Sequence, residues 1–406
     1  GSTSSSDDAG KTFSEIGSAL TGAYHHLRAT SAAVAHAPGA SGSVARTTDG
    51  GQSWTAVGVP TTNAIVDVAF PTAALGYAID GQGSLFRTDD GGASWQILGQ
   101  PGSSSSAALW ASADGGTVLI VGSRGILRST DGGQHFAAVP GKLISKSRFD
   151  DVDRTPTGLV IAYGSKVIAA SKDGGQHWRS IKRPSRRGVL QVDFVDSKVG
   201  YVLASDGRVW RTAKGGRKWS ELRGTGTSRA YALSFGDARN GWLAMRDFAG
   251  SGAGQGWVLR TSDGGRSWRP QLIDSESVNV RGLAATSNST GFALTGRFFG
   301  TDTGGDAGSA STLSLKATPA RVGKHGGKVS VSGRLTPAVA GQAVAVFGRD
   351  GKSAKWRRVL LTTAANGKFG SRWKVKHSMA FVAQWTGSQA ANSAGSRLVQ
   401  VSVRRK

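Results

Sequence analysis

The chain has 406 residues, enough for two or three domains, and its composition excludes several kinds of chemistry. It contains no cysteine, so disulfides and thiolate catalysis are excluded. No run of 18 apolar residues occurs, so the sequence predicts no membrane-spanning helix. The net charge is +24, and most of it lies in the last quarter. Residues 311–406 carry 18 Lys and Arg against a single acid, Asp350, which gives this part a net charge of +17.

The first 12 residues are predicted to be a flexible N-terminus, either a cloning scar or the mature end left after removal of a leader. A short strand, KTFSEI, follows at residues 11–16. From residue 47 an eight-residue motif recurs, first as TTDGGQSW at residues 47–54. The last residues of its six copies are spaced 41, 41, 42, 41 and 49 residues apart, a period typical of repeat proteins and propellers.

The motif predicts a hairpin turn between two strands. Its Thr or Ser hydroxyl and its Asp carboxylate can accept hydrogen bonds from N–H groups of the same turn, and its Gly pair supplies positive φ angles. Because Lys214 replaces the carboxylate in the fifth copy, we expect a weaker turn there but no missing repeat. The predicted structural residues are Asp49, Asp90, Asp131, Asp173 and Asp263, with Trp54, Trp95, Phe136, Trp178, Trp219 and Trp268.

The pattern Ser/Thr-x-Asp-Gly-Gly-x-x-Trp resembles the Asp-box, or bacterial neuraminidase repeat (BNR), of sialidase-like propellers. The full unit, as in residues 192–219, resembles the propellers of the photosystem II assembly factor family and its non-photosynthetic bacterial relatives. The resemblance implies an all-β fold, a seven-bladed β-propeller with Asp-box repeats. Because propellers serve many functions, the fold by itself assigns none.

The propeller is predicted at residues 13–303. RFFGTDTGG at residues 297–305 resembles a box that lacks its Trp and the next strand, whereas KTFSEI is a strand that follows no box. We therefore predict that the N-terminal strand completes the last blade and closes the ring. The sixth repeat has an insertion at residues 246–255, which is predicted to form a mobile loop.

A Gly/Ala/Ser linker at residues 304–311 precedes a second domain at residues 312–406. This domain has seven strand-like runs and is predicted to be a β-sandwich. It resembles the Ig-like domains attached to surface and cell-wall proteins of actinobacteria. The runs are residues 312–318, 328–335, 342–349, 355–363, 368–377, 379–386 and 397–404.

In a propeller, the loops that join blades lie on the same face as the loops that join the second and third strands. We call this the loop face, and the opposite face, which carries the box turns, the box face. A positive loop face would concentrate anions, and Arg makes forked contacts to carboxylate, sulfate or phosphate. The alternative is that these charges are solvated and only keep the chain soluble. The predicted ligand-binding residues are Arg124, Lys142, Lys146, Arg148, Lys182, Arg183, Arg186, Arg187, Arg208, Arg223, Arg229 and Arg246.

An enzyme would need carboxylates that converge on the central channel. Asp151 and Asp193 lie at matching positions on neighbouring inner strands, and Asp67 and Asp153 lie close by in sequence. The structural interpretation is that all four bond to neighbouring backbone or to Arg. Sialidase chemistry has less support, because no Arg-Ile-Pro precedes the first box and no Glu lies where a Tyr nucleophile would need it. Neither the His spacing nor any Asp-rich loop predicts a metal or another cofactor.

The charge of the second domain predicts an anionic partner, because like charges on one small domain repel each other. Candidates are an anionic polysaccharide, a teichoic-acid-like polymer or an acidic protein; nucleic acid is less favoured, since no nucleic-acid-binding motif occurs. We expect an exported, non-enzymatic protein whose propeller binds an anionic partner and whose Ig-like domain tethers it to the cell envelope or matrix. Two alternatives stay open: a glycan-cleaving enzyme, either a glycoside hydrolase or sialidase-like, and an assembly factor for a membrane protein complex, which the resemblance implies.

Overall fold

The computed structural model describes residues 14–15, 23–24, 27–155, 157–226, 230–245, 257–272, 280, 282–287, 290–294, 298–301, 308–353, 355–388 and 390–404. Within these residues the chain is almost entirely β-structure. It has one short helix, α1 at Lys142–Ser145, and one turn of 3-10 helix at Arg223–Thr225. None of the helical segments in this part of the chain has the length and hydropathy of a membrane span.

The strands described before residue 302 form seven four-stranded antiparallel sheets. Six of them run in sequence order, and the seventh combines strands from both ends of the domain. Blades one to three contain β2 (Arg28–Ala29), β3 (Ala35–Pro38), β4 (Ser43–Thr47), β5 (Thr55–Gly58), β6 (Ile65–Ala69), β7 (Gly76–Asp80), β8 (Leu85–Thr88), β9 (Gln96–Gly99), β10 (Ser106–Ala111), β11 (Val118–Gly122), β12 (Gly125–Ser129) and β13 (Ala137–Ala138). Blades four to six contain β14 (Asp151–Arg154), β15 (Val160–Gly164), β16 (Val167–Ser171), β17 (Arg179–Ser180), β18 (Val189–Phe194), β19 (Gly200–Ala204), β20 (Val209–Thr212), β21 (Ser220–Glu221), β22 (Ala230–Phe235), β23 (Gly241–Met245), β24 (Trp257–Thr261) and β25 (Arg269–Leu272).

The seventh blade consists of β26 (Gly282–Ala285), β27 (Gly291–Leu294) and β28 (Phe298–Thr301), completed by β1 (Ser14–Glu15). Ser14 lies opposite Gly300, and Glu15 lies opposite Phe299. From blade to blade around the ring, an inner strand contacts the inner or second strand of its neighbour, and β26 returns to β2. The sheets therefore form a closed propeller whose seam is a strand pair. The insertion predicted at residues 246–255 lies outside the described residues.

The second strands are largely apolar on both faces because each blade packs between two others. In β7, Tyr77 and Ile79 pack against blade three, whereas Ala78 packs against blade one. No residue of β7, β11, β15, β19 or β23 is exposed. The core of the propeller is therefore a ring of interfaces between blades.

Residues 312–404 form two sheets around a second core that includes Val331, Val346, Trp373 and Phe381. Each of the seven predicted runs contains a strand. The domain is thus a β-sandwich, and its Ig-like kinship stays a prediction. One sheet holds β29 (Thr312–Thr318), β31 (Gly327–Thr336) and β34 (Lys368–Val375); the other holds β30 (Arg321–Val322), β32 (Ala343–Asp350), β33 (Trp356–Thr362), β35 (Met379–Trp385), β36 (Ala394–Gly395) and β37 (Val399–Val403).

The central strands of the six-stranded sheet, β32 and β35, are buried on both faces. On β32, Val344 and Val346 point into the sandwich core. The alternate residues Ala345 and Phe347 join Trp268 in a cluster that belongs to blades five and six. The sandwich is therefore docked on the propeller where blades five and six meet.

Polar contacts hold the same interface. Arg349 donates from Nη1 to Glu221 Oε1 at 2.9 Å, and both side chains are largely buried. Gln384 donates from Nε2 to the carbonyl oxygen of Thr225 at 3.3 Å. Gly395 approaches the sixth box so closely that a Cβ there would lie 1.8 Å from the carbonyl oxygen of Trp268. Only glycine fits this approach.

Candidate functional site

Main-chain hydrogen bonds define the two faces of the propeller. Gly42, in the turn between β3 and β4, donates to the carbonyl oxygen of Asn63 in the connection to blade two, at 2.8 Å. On the opposite side, Gly50 of the first box donates to the carbonyl oxygen of Ala33, between β2 and β3, at 2.9 Å. The loops therefore divide between the loop face and the box face as the topology predicts.

The described basic candidates lie in loops of the loop face on blades three to five. Most are exposed; Arg183 and Arg208 are half-buried. Arg229 and Arg246 lie outside the described residues. Arg124 is in the turn between β11 and β12 and Arg208 in the turn between β19 and β20, whereas Lys142, Lys146 and Arg148 precede blade four, Lys182, Arg183, Arg186 and Arg187 precede blade five, and Arg223 precedes blade six.

The connection from blade four to blade five, residues 182–187, is folded against neighbouring turns. Arg183 donates from Nη1 to the carbonyl oxygens of Arg187 at 3.3 Å and of Ser165 at 3.4 Å. Arg208 donates from Nη2 to Ser185 Oγ at 3.3 Å. These contacts bring the basic residues of two loops together.

Acids on this part of the loop face are engaged by arginine. Asp206 pairs with Arg208 at 2.8 Å and, more loosely, with Arg187 at 3.8 Å. Asp150 pairs with Arg148 at 3.1 Å. The side chains of Arg148 and Arg187 still expose 75% and 71% of their surface, so most of their hydrogen-bonding capacity faces solvent. This part of the face is therefore positive.

Arg28 occupies the channel between the carboxylates of two other blades. It donates to Asp67 at 3.1 and 3.0 Å and also to Asp151, whose second oxygen accepts from the Tyr163 hydroxyl at 2.9 Å. Asp67 additionally accepts the N–H of Leu109 at 3.0 Å. Burial lowers the pKa of Arg28, but Asp151 and Asp67 outweigh burial and raise that pKa well above its ordinary value. The group is a partly buried ion network that links blades one to four.

Asp193 has a different environment from Asp151. It accepts the N–H of Phe235 in the next blade at 2.7 Å. Burial raises the pKa of Asp193 to about 7; the Phe235 N–H opposes this shift and the charge of Asp153 adds to it. The loss of solvation therefore disfavours the charged form of this carboxyl group.

The strand register corrects the predicted equivalence of Asp151 and Asp193. Asp153 pairs with Ile161 and Asp193 pairs with Tyr201, and each partner is the second residue of its strand. Asp193 therefore corresponds to Asp153. Asp151 corresponds instead to Gln191, so the predicted match was wrong by two positions. The turn between the second and third strands is one residue longer in blade five and accounts for one of these two positions.

Other inner-strand side chains repeat the role of tying blades together. Gln191 accepts the N–H of Leu233 at 2.9 Å, and Ser234 accepts the N–H of Ala285 at 2.9 Å. Sequence analysis did not identify Arg28 as a channel residue. The sequence feature that could have identified it is a cation on an inner strand, at a position where the inner strands of two other blades carry Asp.

The Asp-box turns are built by their own polar side chains. In the first box, Thr47 Oγ1 accepts the N–H of Gly51 at 2.8 Å, and Asp49 accepts the N–H and the hydroxyl of Ser53 at 2.9 and 2.6 Å. These bonds from Ser53 lower the pKa of Asp49 to about 2. The same pattern recurs at Asp90, Asp131, Asp173 and Asp263.

The fifth box keeps its hydroxyl contacts without a carboxylate. Thr212 Oγ1 accepts the N–H groups of Lys214 and Gly216, both at 3.1 Å. All four strands of that blade are present. Of the box aromatics, Trp54 and Trp268 are buried, while Trp95, Phe136, Trp178 and Trp219 are half-buried.

Among the described residues, no group of His, Asp and Glu has a geometry that could hold a metal ion. The exposed rings of His135 and His177 lie 2.7 Å from Asp131 and Asp173 of their own boxes.

Comparison with known proteins agrees with this architecture. The profile of the family described as "Photosynthesis system II assembly factor YCF48" matches residues 53–179. The propeller resembles that of the photosystem II assembly factor family. A search of curated proteins gave no match.

Solved structures share the fold. "YCF48 bound to D1 peptide" matches with a TM-score of 0.57 at 18% identity, over 71% of this chain and 94% of that chain. YCF48 from Cyanidioschyzon merolae matches with a TM-score of 0.58 at 17% identity, over 71% and 98%. A GH74 enzyme from Niastella koreensis matches with a TM-score of 0.58 at 12% identity, over 95% of this chain and 74% of its own. At these identities the likeness establishes the fold alone.

Proposed function

We propose that the propeller is a peptide-binding module of the assembly-factor type, which holds an acidic segment of a partner protein on its loop face. The family whose profile matches residues 53–179 is described by its role in assembly, and one similar propeller was solved with a peptide bound. The observation that carries the proposal is the connection at residues 182–187. This connection between blades four and five carries four basic side chains. The neighbouring acid, Asp206, is already paired with Arg208.

A polypeptide fits this surface better than a uniform polyanion does. Leu190, at the start of β18, exposes 46% of its surface next to the basic connection. A peptide can offer a carboxylate to Arg186 or Arg187 and an apolar side chain to Leu190, whereas a simple charged polymer offers only the first contact. Arginine also recognises carboxylates through two parallel hydrogen bonds, which fixes their orientation.

The enzymatic alternative gains no support from the channel. Asp67 and Asp151 both bind Arg28, and Asp193 binds the main chain of the next blade. A two-carboxylate hydrolase needs one acid and one base on either side of an accessible substrate bond. Export of the chain and its tethering to an anionic envelope stay predictions from the sequence.

The test compares two charge-matched variants of the full chain. We expect Arg186→Ala with Arg187→Ala to weaken binding of a fluorescent Glu-rich peptide about tenfold, because two exposed guanidiniums are lost. Arg217→Ala with Lys218→Ala removes the same charge from the fifth box, on the opposite face, and should leave the affinity unchanged. Fluorescence anisotropy at two salt concentrations measures both.

Equal losses in the two variants would reduce the effect to net charge and overturn the proposal. Absence of binding by the unmodified chain would do so as well. A neutral peptide of the same length serves as the control for apolar adsorption.

A further inference from the structure

We propose that the binding surface for the acidic segment is composite, and continues from the loop face of blades four and five onto the C-terminal domain beside Trp356. This inference rests on the function proposed for the loop face. It adds a second half to that site and predicts a longer, extended partner segment.

The two domains meet where the basic loops end. Arg208 and Arg223 of the propeller line one narrow crevice together with Arg349 and Trp356 of the C-terminal domain. Arg208 is also bonded to Ser185 of the basic connection. A continuous series of contacts therefore leads from residues 182–187 to the C-terminal domain.

The acid at this seam is already neutralised. Glu221 accepts from Arg223 Nε at 2.9 Å and from Arg349 Nη1 at 2.9 Å, and 9% of its side chain is exposed. Arg223 keeps 51% of its side chain exposed. In the described part of the seam, the charge of Glu221 is therefore balanced by arginine, and the surface between the two domains does not become negative.

Beyond the seam the surface again carries exposed cations. Lys352 and Lys355 are exposed in the turn between β32 and β33, and Trp356 follows them. The Arg349 guanidinium lies 6.0 Å from the centre of the Trp356 ring, which keeps this indole at the domain junction. An acidic chain that leaves the loop face would meet two lysines and an aromatic surface.

The docking is rigid enough for two domains to act as one surface. Phe347 and Val382 are buried against blades five and six, and Gly395 lies against the main chain of Trp268. Binding of a partner that spans both domains therefore loses little free energy in ordering them, and the second contact of that partner forms at high effective concentration.

The experiment uses the full chain and two labelled peptides of alternating Glu, Ser and Gly, about 8 and about 24 residues long, since an extended chain rises ~3.3 Å per residue. The test variant is Lys352→Ala with Lys355→Ala. The matched control is Lys328→Ala with Lys374→Ala, two exposed lysines on the three-stranded sheet, away from the propeller. Fluorescence anisotropy at fixed salt gives the affinities.

We expect the long peptide to bind the unmodified chain about tenfold tighter than the short one. The test variant should weaken the long peptide about fivefold and leave the short one unchanged, and the control should change neither. If both peptides bind equally and the test variant has no effect, the composite surface is wrong while the loop face stands. If the control weakens the long peptide as much as the test variant, general attraction explains the result and the composite surface is again wrong. If neither peptide binds, both proposals fail.

Discussion

Asp151 and Asp193 show how neighbouring inner strands place the same residue type in different electrostatic environments. Asp151 lies against the Arg28 guanidinium and the Tyr163 hydroxyl, which both favour the ionised form. Asp193 is half-buried, and its pKa is raised to about 7 by burial, with a further contribution from Asp153. The first carboxylate stabilises the fold as an anion. The second is tolerated best when it is protonated.

This difference predicts a pH-dependent effect of Asp193→Asn. A carboxyl whose pKa is higher in the folded state than in the unfolded chain stabilises the fold at low pH, and the contribution is lost as the pH rises through about 7. Asn keeps an acceptor for the Phe235 N–H and cannot ionise. Between pH 5 and pH 8 we therefore expect the free energy of unfolding of this variant to rise by about 2 kcal/mol relative to the parent.

Urea unfolding at the two pH values measures this change. Asp151→Asn is the matched comparison, and it should be destabilising at both, because it leaves Arg28 with one carboxylate fewer. A constant offset between Asp193→Asn and the parent from pH 5 to pH 8 would contradict the assignment.

The carboxylates of the site could be found from the sequence, but their partners could not. Inner-strand position identified Asp67, Asp151, Asp153 and Asp193 as channel residues. Arg28 reaches Asp151 across a separation of 123 residues, and no local pattern encodes such a contact. The predicted match of Asp151 with Asp193 also failed by two positions, and the extra turn residue of blade five, which leaves the box spacing unchanged, accounts for one of them.

At the scale of the element, the Asp-box is a turn whose stability comes from a hydroxyl and a carboxylate that satisfy main-chain N–H groups. Gly50 and Gly51 have φ angles of 74° and 90°, which is why the Gly pair is needed. The motif specifies its own conformation locally, and for that reason the propeller fold was predictable from six short copies. The fifth copy shows that the hydroxyl and the Gly pair are sufficient to form the turn.

Lys214→Asp should therefore stabilise the protein. The new carboxylate would accept the N–H of Lys218, as Asp173 accepts that of His177 at 2.9 Å in the preceding blade. It would also be close to the cations of Arg217 and Lys218. One such hydrogen bond corresponds to an increase in Tm of about 2 °C in a chain of this length.

The reciprocal variant, Asp173→Lys, should lower the Tm by a similar amount, and differential scanning fluorimetry resolves both changes. If Lys214→Asp lowers the Tm, the fifth turn departs from the geometry of the others. If neither variant has an effect, the carboxylate contributes nothing to the stability of a box.

The sequence also contained a signal for the docked face of the sandwich that only the structure made clear. Strands β32 and β35 carry continuous apolar runs, AVAVF and FVA, in place of the alternation expected of a strand with one solvated face. A strand that is apolar on both sides is covered on both sides. The sequence does not specify what covers it, because the complementary apolar residues come from blades five and six.

For the whole molecule, the interface between the domains must overcome electrostatic repulsion, since the C-terminal part alone carries most of the net charge of +24. Apolar burial supplies the attraction: Phe347 is 2% exposed and Trp268 is 1% exposed. The ion pair of Arg349 with Glu221 adds one favourable charge contact. We infer that the two domains unfold together as one cooperative unit.

Phe347→Asp tests this coupling, because it places a carboxylate in the apolar interface. It also removes a large side chain, which lowers the stability by about 3–5 kcal/mol for a buried aromatic. Scanning calorimetry of the parent should give one transition, and the variant should give two, as the sandwich and the propeller separate. Gly395→Ala should have the same effect by a different route, since its methyl group would collide with the main chain of Trp268. Leu360→Asp adds the same charge at a position that is 52% exposed on the same sheet, and it should keep the single transition. Two transitions in the parent would mean that the domains are independent, and the composite surface would then lose the rigid docking on which it depends.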